Sequence, residues 1–233
     1  MQAVILAAGE GKRMRPLTLE LPKPLISVAG RPVLEHIIDA LPSEIDEIIL
    51  IVGYKAEMLE QHFGDSYKGR TMRYVHQEVP EGTARALWLA QPLLNEGRFL
   101  FAYADDLHGA RAIKEALSYP RAILAATSDE PWKFGVIELT SDHTLARIVE
   151  KPEVPPSNLI SAGVMVLDTH IFKYETVRDK SGEYYVTHPL GLYAQEYPMQ
   201  VVEQEVWIPI GYPEDIAIAE ERLSSVSDVL QEA

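Results

Sequence analysis

The 233-residue chain contains no cysteine, so neither a disulfide nor a thiolate metal site can help hold it together. That absence suits a reducing compartment, and a cytoplasmic location is expected. Long apolar runs are missing too. The opening stretch Ala3–Ala8 is too short for a membrane span or for the apolar segment of a secretion signal, and no basic segment precedes it. No membrane partner is therefore expected. Positive charge is scarce: 21 Lys and Arg stand against 35 Asp and Glu, a net charge of −14. Such a chain is a poor match for a phosphate backbone, so no nucleic acid is expected as a partner. Nothing in the composition opposes a homo-oligomer.

What is present is an ordinary globular composition, 47% hydrophobic and 24% charged, in a chain long enough for a large core. Short apolar runs at Ala3–Ala8, Glu47–Val52, Met72–His76, Phe99–Ala104 and Ala122–Thr127 read as strands buried on both faces. Helical patterns alternate with them, at Pro32–Ala40, Ala56–His62, Thr83–Leu94 and Arg111–Ser118. This alternation predicts an α/β fold with a doubly wound, mostly parallel sheet of the Rossmann-like kind. From Phe134 the pattern changes. A hairpin (Phe134–Leu139 and Thr144–Val149), strands at Ser161–Leu167 and Gln200–Val206, and an amphipathic helix at Asp215–Leu230 predict a smaller mixed lobe. No linker separates the two parts, so a single domain over 1–233 is expected, divided into halves at 1–130 and 131–233.

The few positive charges are unevenly spread. Residues 1–31 hold Lys12, Arg13, Arg15, Lys23 and Arg31 against Glu10 and Glu20, a local excess of +3 that leaves −17 for the remainder. A basic pocket on an acidic body suits a small polyanion; a solvated basic turn is the bland alternative. The cations follow a strand and Gly9-Glu10-Gly11, and glycines let backbone N–H groups approach an anion. Two common templates fail here. A dinucleotide fingerprint would want Gly or Ala where Met14 stands, and a Walker A loop would want Gly at Leu6 and Ser or Thr at Arg13. A nucleoside triphosphate fits what remains, with Arg13 as a fork for its terminal phosphates. In "LPKPL" the prolines hold Lys23 on a stiff segment, able to neutralise a phosphate at a fixed point.

"LAAGEGKRMRPLT" followed by "PKPL" resembles the sugar-phosphate nucleotidylyltransferase family, which joins a nucleoside triphosphate to a sugar 1-phosphate. The resemblance covers nearly the whole chain, and the short form, lacking the carboxyl-terminal repeat domain of longer members, is expected. It implies the same nucleotidyltransferase fold with a sugar-binding second half. It also implies roles. Leu6, Ala8, Gly9 and Gly11 would cradle the nucleotide. In "HQEVPEGTARAL" Gln77 would read a pyrimidine edge, beside Gly82 and Thr83. In "FLFAYADDLHG" Asp105 would hold Mg²⁺; Asp106 and His108, on their own residue types, read as turn residues and not ligands. "KFGVIEL", "IVEKPEVPPSN" and "SAGVMVLD" resemble sugar-binding blocks, implying Gly135, Glu150, Lys151, Ala162 and Gly163. "WIPIGYPEDI" departs from the family: Pro209 stands where an aspartate usually helps bind metal.

The implied reaction is attack by a sugar 1-phosphate, glucose 1-phosphate favoured, on the α-phosphorus of UTP or dTTP. Arg13, Lys23, Asp105 and Lys151 would be the catalytic residues. Two alternatives stay open: a nucleotide-sugar-binding regulatory paralogue without chemistry, for which Pro209 speaks, and a cytidylyltransferase acting on phosphocholine. The latter would want an aromatic cage, and Tyr184, Tyr185, Tyr193 and Trp207 have no position that sequence alone assigns.

Overall fold

The computed structural model describes residues 1–225; the end of the helix expected to reach Leu230 lies outside them. The chain opens with β1 (Gln2–Leu6), a short helix α1 (Leu17–Glu20), the small pair β2 (Ser27–Val28) and β3 (Arg31–Pro32), and α2 (Val33–Asp39). Strand and helix then alternate: β4 (Glu47–Val52), α3 (Ala56–Phe63), β5 (Ser66–Tyr67), β6 (Arg70–His76), α4 (Thr83–Ala90), β7 (Arg98–Tyr103), β8 (Asp106–His108), α5 (Ala110–Leu117) and β9 (Ala122–Thr127). The second half contributes the hairpin β10 (Gly135–Leu139) and β11 (Leu145–Glu150), the long β12 (Leu159–Asp168), α6 (Thr187–Glu196), β13 (Gln200–Glu203), β14 (Trp207–Pro209) and α7 (Asp215–Ser225).

Ten of the described strands form one mixed sheet, ordered β11-β10-β12-β7-β1-β4-β6-β5, with β9 and β13 joined beside β12. The inner strands β7, β1, β4 and β6 run parallel, and β12 closes antiparallel on β7 through five residue pairs. The second half thus extends the sheet of the first.

Strands β1, β4 and β7 carry no polar alternation because both faces are covered. Strand β6 was expected to be buried on both faces and is not: only Met72 is buried, while Thr71, Arg73 and His76 are exposed towards the sheet's edge. In β1, Ala3 and Ile5 join a core under α2, α3 and α5, while Val4 joins a second core under α4 and α6; Ile48, Leu50 and Val52 of β4 face the first, Ile49 and Ile51 the second. Strand β1 has β4 on one side and β7 on the other, so the chain order reverses there. The crevice outside the carboxyl ends of β1 and β7 is where open parallel sheets take ligands. There the Ala104 N–H donates to Leu6 O at 3.1 Å, bringing the two strand ends together.

Three further expectations are corrected. The helix predicted over Thr83–Leu94 ends at Ala90 and passes into a 3-10 turn at Gln91–Leu93, where Pro92 cannot supply a helical N–H. Asp106 and His108 are not turn residues: they lie in β8, paired with β14. Helix α6 was not expected; Pro189 and Gly191 mask it, although Val186, Leu190, Tyr193 and Ala194 keep helical spacing and are buried.

Candidate active site

The glycine turn is built by close approaches. Gly11 has φ +60°, and a Cβ there would lie 2.9 Å from the Thr18 methyl and 3.1 Å from Lys23 Cβ. The buried Thr18 hydroxyl donates to Gly11 O at 2.9 Å and fixes the bend. Gly9, by contrast, faces open space. The next turn, Lys12–Met14, is pinned by the buried Met14. Its cations take different directions. Lys12 and Arg15 both lean on Glu10, at 3.4 and 3.5 Å. The Arg13 guanidinium instead lies over the Tyr212 ring, 5.1 Å from its centroid.

Two cavities meet at these strand ends. The first, about 490 Å³, is lined by Leu6, Ala8, Gly9, Gly11, Arg13, Lys23, Gln77, Gly82, Thr83 and Asp105. Every residue assigned above to the nucleotide is among them. The Gln77 N–H donates to Val52 O at 2.8 Å, and its side-chain amide donates to Gly82 O at 3.4 Å. Gly82 is held by residues 178–186, a strap that bonds back to the loop before α4. Tyr184 N–H donates to Glu81 O and Ala84 N–H to Tyr184 O, both at 2.8 Å, and Val186 N–H donates to Thr83 Oγ1 at 3.0 Å.

The second cavity, about 470 Å³, is lined by Gly135, Glu150, Lys151, Ala162 and Gly163, again all the residues assigned to the sugar. It shares Arg13, Thr83, Tyr103, Asp105 and Glu183 with the first. Gly135 and Glu150 are cross-strand partners, and a Cβ on Gly135 would lie 2.9 Å from the Thr187 methyl. The Thr187 hydroxyl donates to Glu150 at 2.9 Å. Burial pushes the Glu150 carboxyl up, against the opposing pull of Lys151. Gly163 has φ +85° at an irregularity in β12, and the Tyr103 ring occupies the space a side chain would need, 2.5 Å from a built Cβ.

Between the cavities stands a carboxylate pair. Lys23 Nζ donates to Asp105 at 2.9 Å, so the stiff lysine and the strand-end acid are already engaged with each other. Asp106 accepts from the Trp207 indole at 2.9 Å and faces Pro209 across the β8–β14 ladder. Burial, with the neighbouring charge of Asp105, pushes the Asp106 carboxyl up to about 7. Among the described residues no three acidic or histidine side chains converge on a metal. Mg²⁺ commonly takes only one or two protein carboxylates beside substrate phosphates. Asp105, which lines both cavities, fits such a site as its protein ligand.

Sequence reasoning missed Tyr103, Glu183, Tyr185, Thr187 and Tyr212, which all line the second cavity. Thr187 could have been found by seeing α6; the others carry no local signal. Of the four aromatic residues left unplaced, Tyr185 alone lines either of these two cavities: Tyr193 is buried in the core, Trp207 holds Asp106, and Tyr184 stacks with Arg85.

Likeness to known proteins runs along nearly the whole chain. The chain is 36% identical over 224 residues to the bifunctional protein GlmU of Methanococcus maripaludis, covering 94% of this chain and 53% of that protein. It therefore spans about half the length of that relative. It is 32% identical over 235 residues to the UTP–glucose-1-phosphate uridylyltransferase AglF of Haloferax volcanii, covering 96% of each. Two solved structures share the fold. A Bacillus anthracis protein assigned as a glucose-1-phosphate thymidylyltransferase superimposes with a TM-score of 0.85 at 23% identity, covering 100% of this chain and 96% of the other. A UDP-glucose pyrophosphorylase does so with a TM-score of 0.83 at 22% identity, covering 96% and 98%. The nucleotidyl transferase family matches residues 2–225, and the chain belongs to that family.

Proposed function

We propose that the protein transfers a nucleoside monophosphate from UTP or dTTP to glucose 1-phosphate, releasing pyrophosphate and forming a nucleotide sugar. The observation that carries this reading is the pair of adjoining cavities. One is floored by the glycine turn and Gln77, the other by Glu150 and Lys151, and Arg13 and Asp105 line both. The end-to-end likeness to a relative named as a UTP–glucose-1-phosphate uridylyltransferase supports the choice of substrates.

A phosphate oxygen of the sugar 1-phosphate attacks the α-phosphorus in line; the new P–O bond forms as the bond to pyrophosphate breaks. The nucleophile is already an anion, so no general base is needed. The work is to bring two polyanions together and stabilise the leaving group. Lys151 holds the attacking phosphate, Lys23 neutralises the α-phosphate, and Arg13 draws off the pyrophosphate. Glu150 accepts hydrogen bonds from sugar hydroxyls, and the amide of Gln77 supplies both donor and acceptor to a pyrimidine edge. Asp105 would hold Mg²⁺, which when bound supplies positive charge to the phosphate oxygens.

The test is pyrophosphate release, with UTP, dTTP, CTP, ATP and GTP each paired with several sugar 1-phosphates and with phosphocholine. Turnover should be greatest for UTP or dTTP with glucose 1-phosphate. Binding of UDP-glucose without turnover of any pair would overturn the reading in favour of a sensor, the reading that Pro209 invites. Turnover of CTP with phosphocholine alone would overturn it in favour of a choline enzyme.

A further inference from the structure

The cations that line the two cavities are restrained in different ways. Lys23 is neutralised by Asp105 at 2.9 Å. Lys151 is placed differently: its Nζ lies 4.6 Å from the centroid of the Tyr185 ring and 3.4 Å from the Tyr185 hydroxyl. Its own strand does little to aim it. Lys151 follows the end of β11 at φ +40°, its N–H bonded to Phe134 O at 2.9 Å, and half of its side chain is exposed. Glu150 is 3.5 Å from the ammonium, a loose contact.

Tyr185, in contrast, is fastened on both sides. Tyr184 before it bonds to Glu81 and Ala84, and Val186 after it bonds to Thr83. The Tyr185 hydroxyl also meets Ser181 Oγ at 3.2 Å. A ring held this way attracts a cation through its quadrupole and leaves the charge intact. The platform also reduces the freedom a four-carbon stem must lose on binding.

We propose that Tyr185 is a positioning residue for the acceptor: its ring face and hydroxyl hold Lys151 over the second cavity, charged and aimed, for the phosphate of the incoming sugar 1-phosphate. This rests on the reading of Lys151 as the partner of that phosphate.

The experiment is a double-mutant cycle on pyrophosphate release from UTP and glucose 1-phosphate. Tyr185→Leu should raise the KM for glucose 1-phosphate roughly five-fold, the size expected for one partly exposed cation–ring contact, with the KM for UTP unchanged. Tyr185→Phe, which keeps the ring and loses the hydroxyl contact, should recover part of the loss. In a Lys151→Met background, Tyr185→Leu should have no further effect. An equal effect in that background, or an equal rise in the KM for UTP, would show a merely structural tyrosine and overturn the proposal. If Lys151→Met itself leaves the KM for glucose 1-phosphate unchanged, the reading of the acceptor site fails, and the Tyr185 contact is judged by a substrate-free measurement. In protein with ¹³C-dimethylated lysines, the Lys151 signal, assigned by its loss in Lys151→Met, should be displaced upfield by the Tyr185 ring and return in Tyr185→Leu. An undisplaced signal overturns the proposal whatever the substrate.

Discussion

Gly82→Ala adds one methyl group where the loop before α4 meets the strap of residues 178–186. Gly82 sits at φ +111° and ψ 177°, a region open essentially to glycine alone, where a side chain costs roughly 1–3 kcal/mol. The methyl would also lie 2.6 Å from Tyr184 N and 2.7 Å from Tyr184 O, so the strap must move. The hydrogen bonds at stake are those of Tyr184 N–H to Glu81 O, Ala84 N–H to Tyr184 O, and Val186 N–H to Thr83 Oγ1. At about 1 kcal/mol net for each, the total loss is about 4–6 kcal/mol. Gly97 provides the control: it has φ +110° with nothing within 4 Å of a built Cβ. Gly97→Ala should show the backbone cost alone, about 1–3 kcal/mol. Urea unfolding with matched m values would measure both. Gly82→Ala should exceed Gly97→Ala by about 3 kcal/mol. Where the strap detaches alone, a protease should nick residues 178–186 in the variant and spare them in the parent. Equal losses, with the strap uncut, would refute the clamp.

Arg13→Ala should lower kcat for pyrophosphate release on the order of 10²-fold and leave the melting temperature unchanged, since Arg13 is exposed; unchanged turnover would remove it from the site. Asp168 is buried, receives Arg121 at 2.6 Å and accepts from the His170 N–H, so Asp168→Asn should cost on the order of 3 kcal/mol in chemical denaturation. Those partners outweigh burial and hold the Asp168 carboxyl below its ordinary value. Its stabilisation is therefore complete above the ordinary carboxylate range and disappears as pH falls through the depressed value. Burial pulls His108 down to about 4, while in the unfolded chain it titrates near the ordinary 6.5. Acid therefore favours the unfolded state: relative to His108→Asn, the wild type should lose about 2 kcal/mol of stability between pH 7 and pH 5. A pH-independent gap between the two in denaturation would sink that assignment.

Strands β4 and β9 match their sequence patterns residue for residue, at Glu47–Val52 and Ala122–Thr127, because apolar runs buried on both faces carry their signal locally. The glycine turn and Asp105 were legible for a related reason: they follow β1 and β7, and a parallel sheet gathers such strand ends at one edge. Gln77 and Glu150-Lys151 were marked only by the resemblance of their sequence blocks, and Glu150 ends a strand of the antiparallel hairpin. Strands β8 and β14 were hidden, since three residues form a strand only when a partner from about a hundred positions away supplies the ladder. Tyr185 and Tyr212 were hidden likewise. One reaches its cavity by the docking of the strap onto residues 81–84, the other by the turn before α7 that Asp215 caps at 2.7 Å, and neither event leaves a periodic trace.

Strand β12 lies hydrogen-bonded beside β7 through Val164–Asp168, which bears on how turnover must proceed. The floors of the two cavities are joined through this ladder, so a clam-like opening between halves would require tearing it. Product escape then falls to short peripheral pieces, the glycine turn and the strap. Deuterium uptake should change on nucleotide addition at those edges while the central amides stay silent.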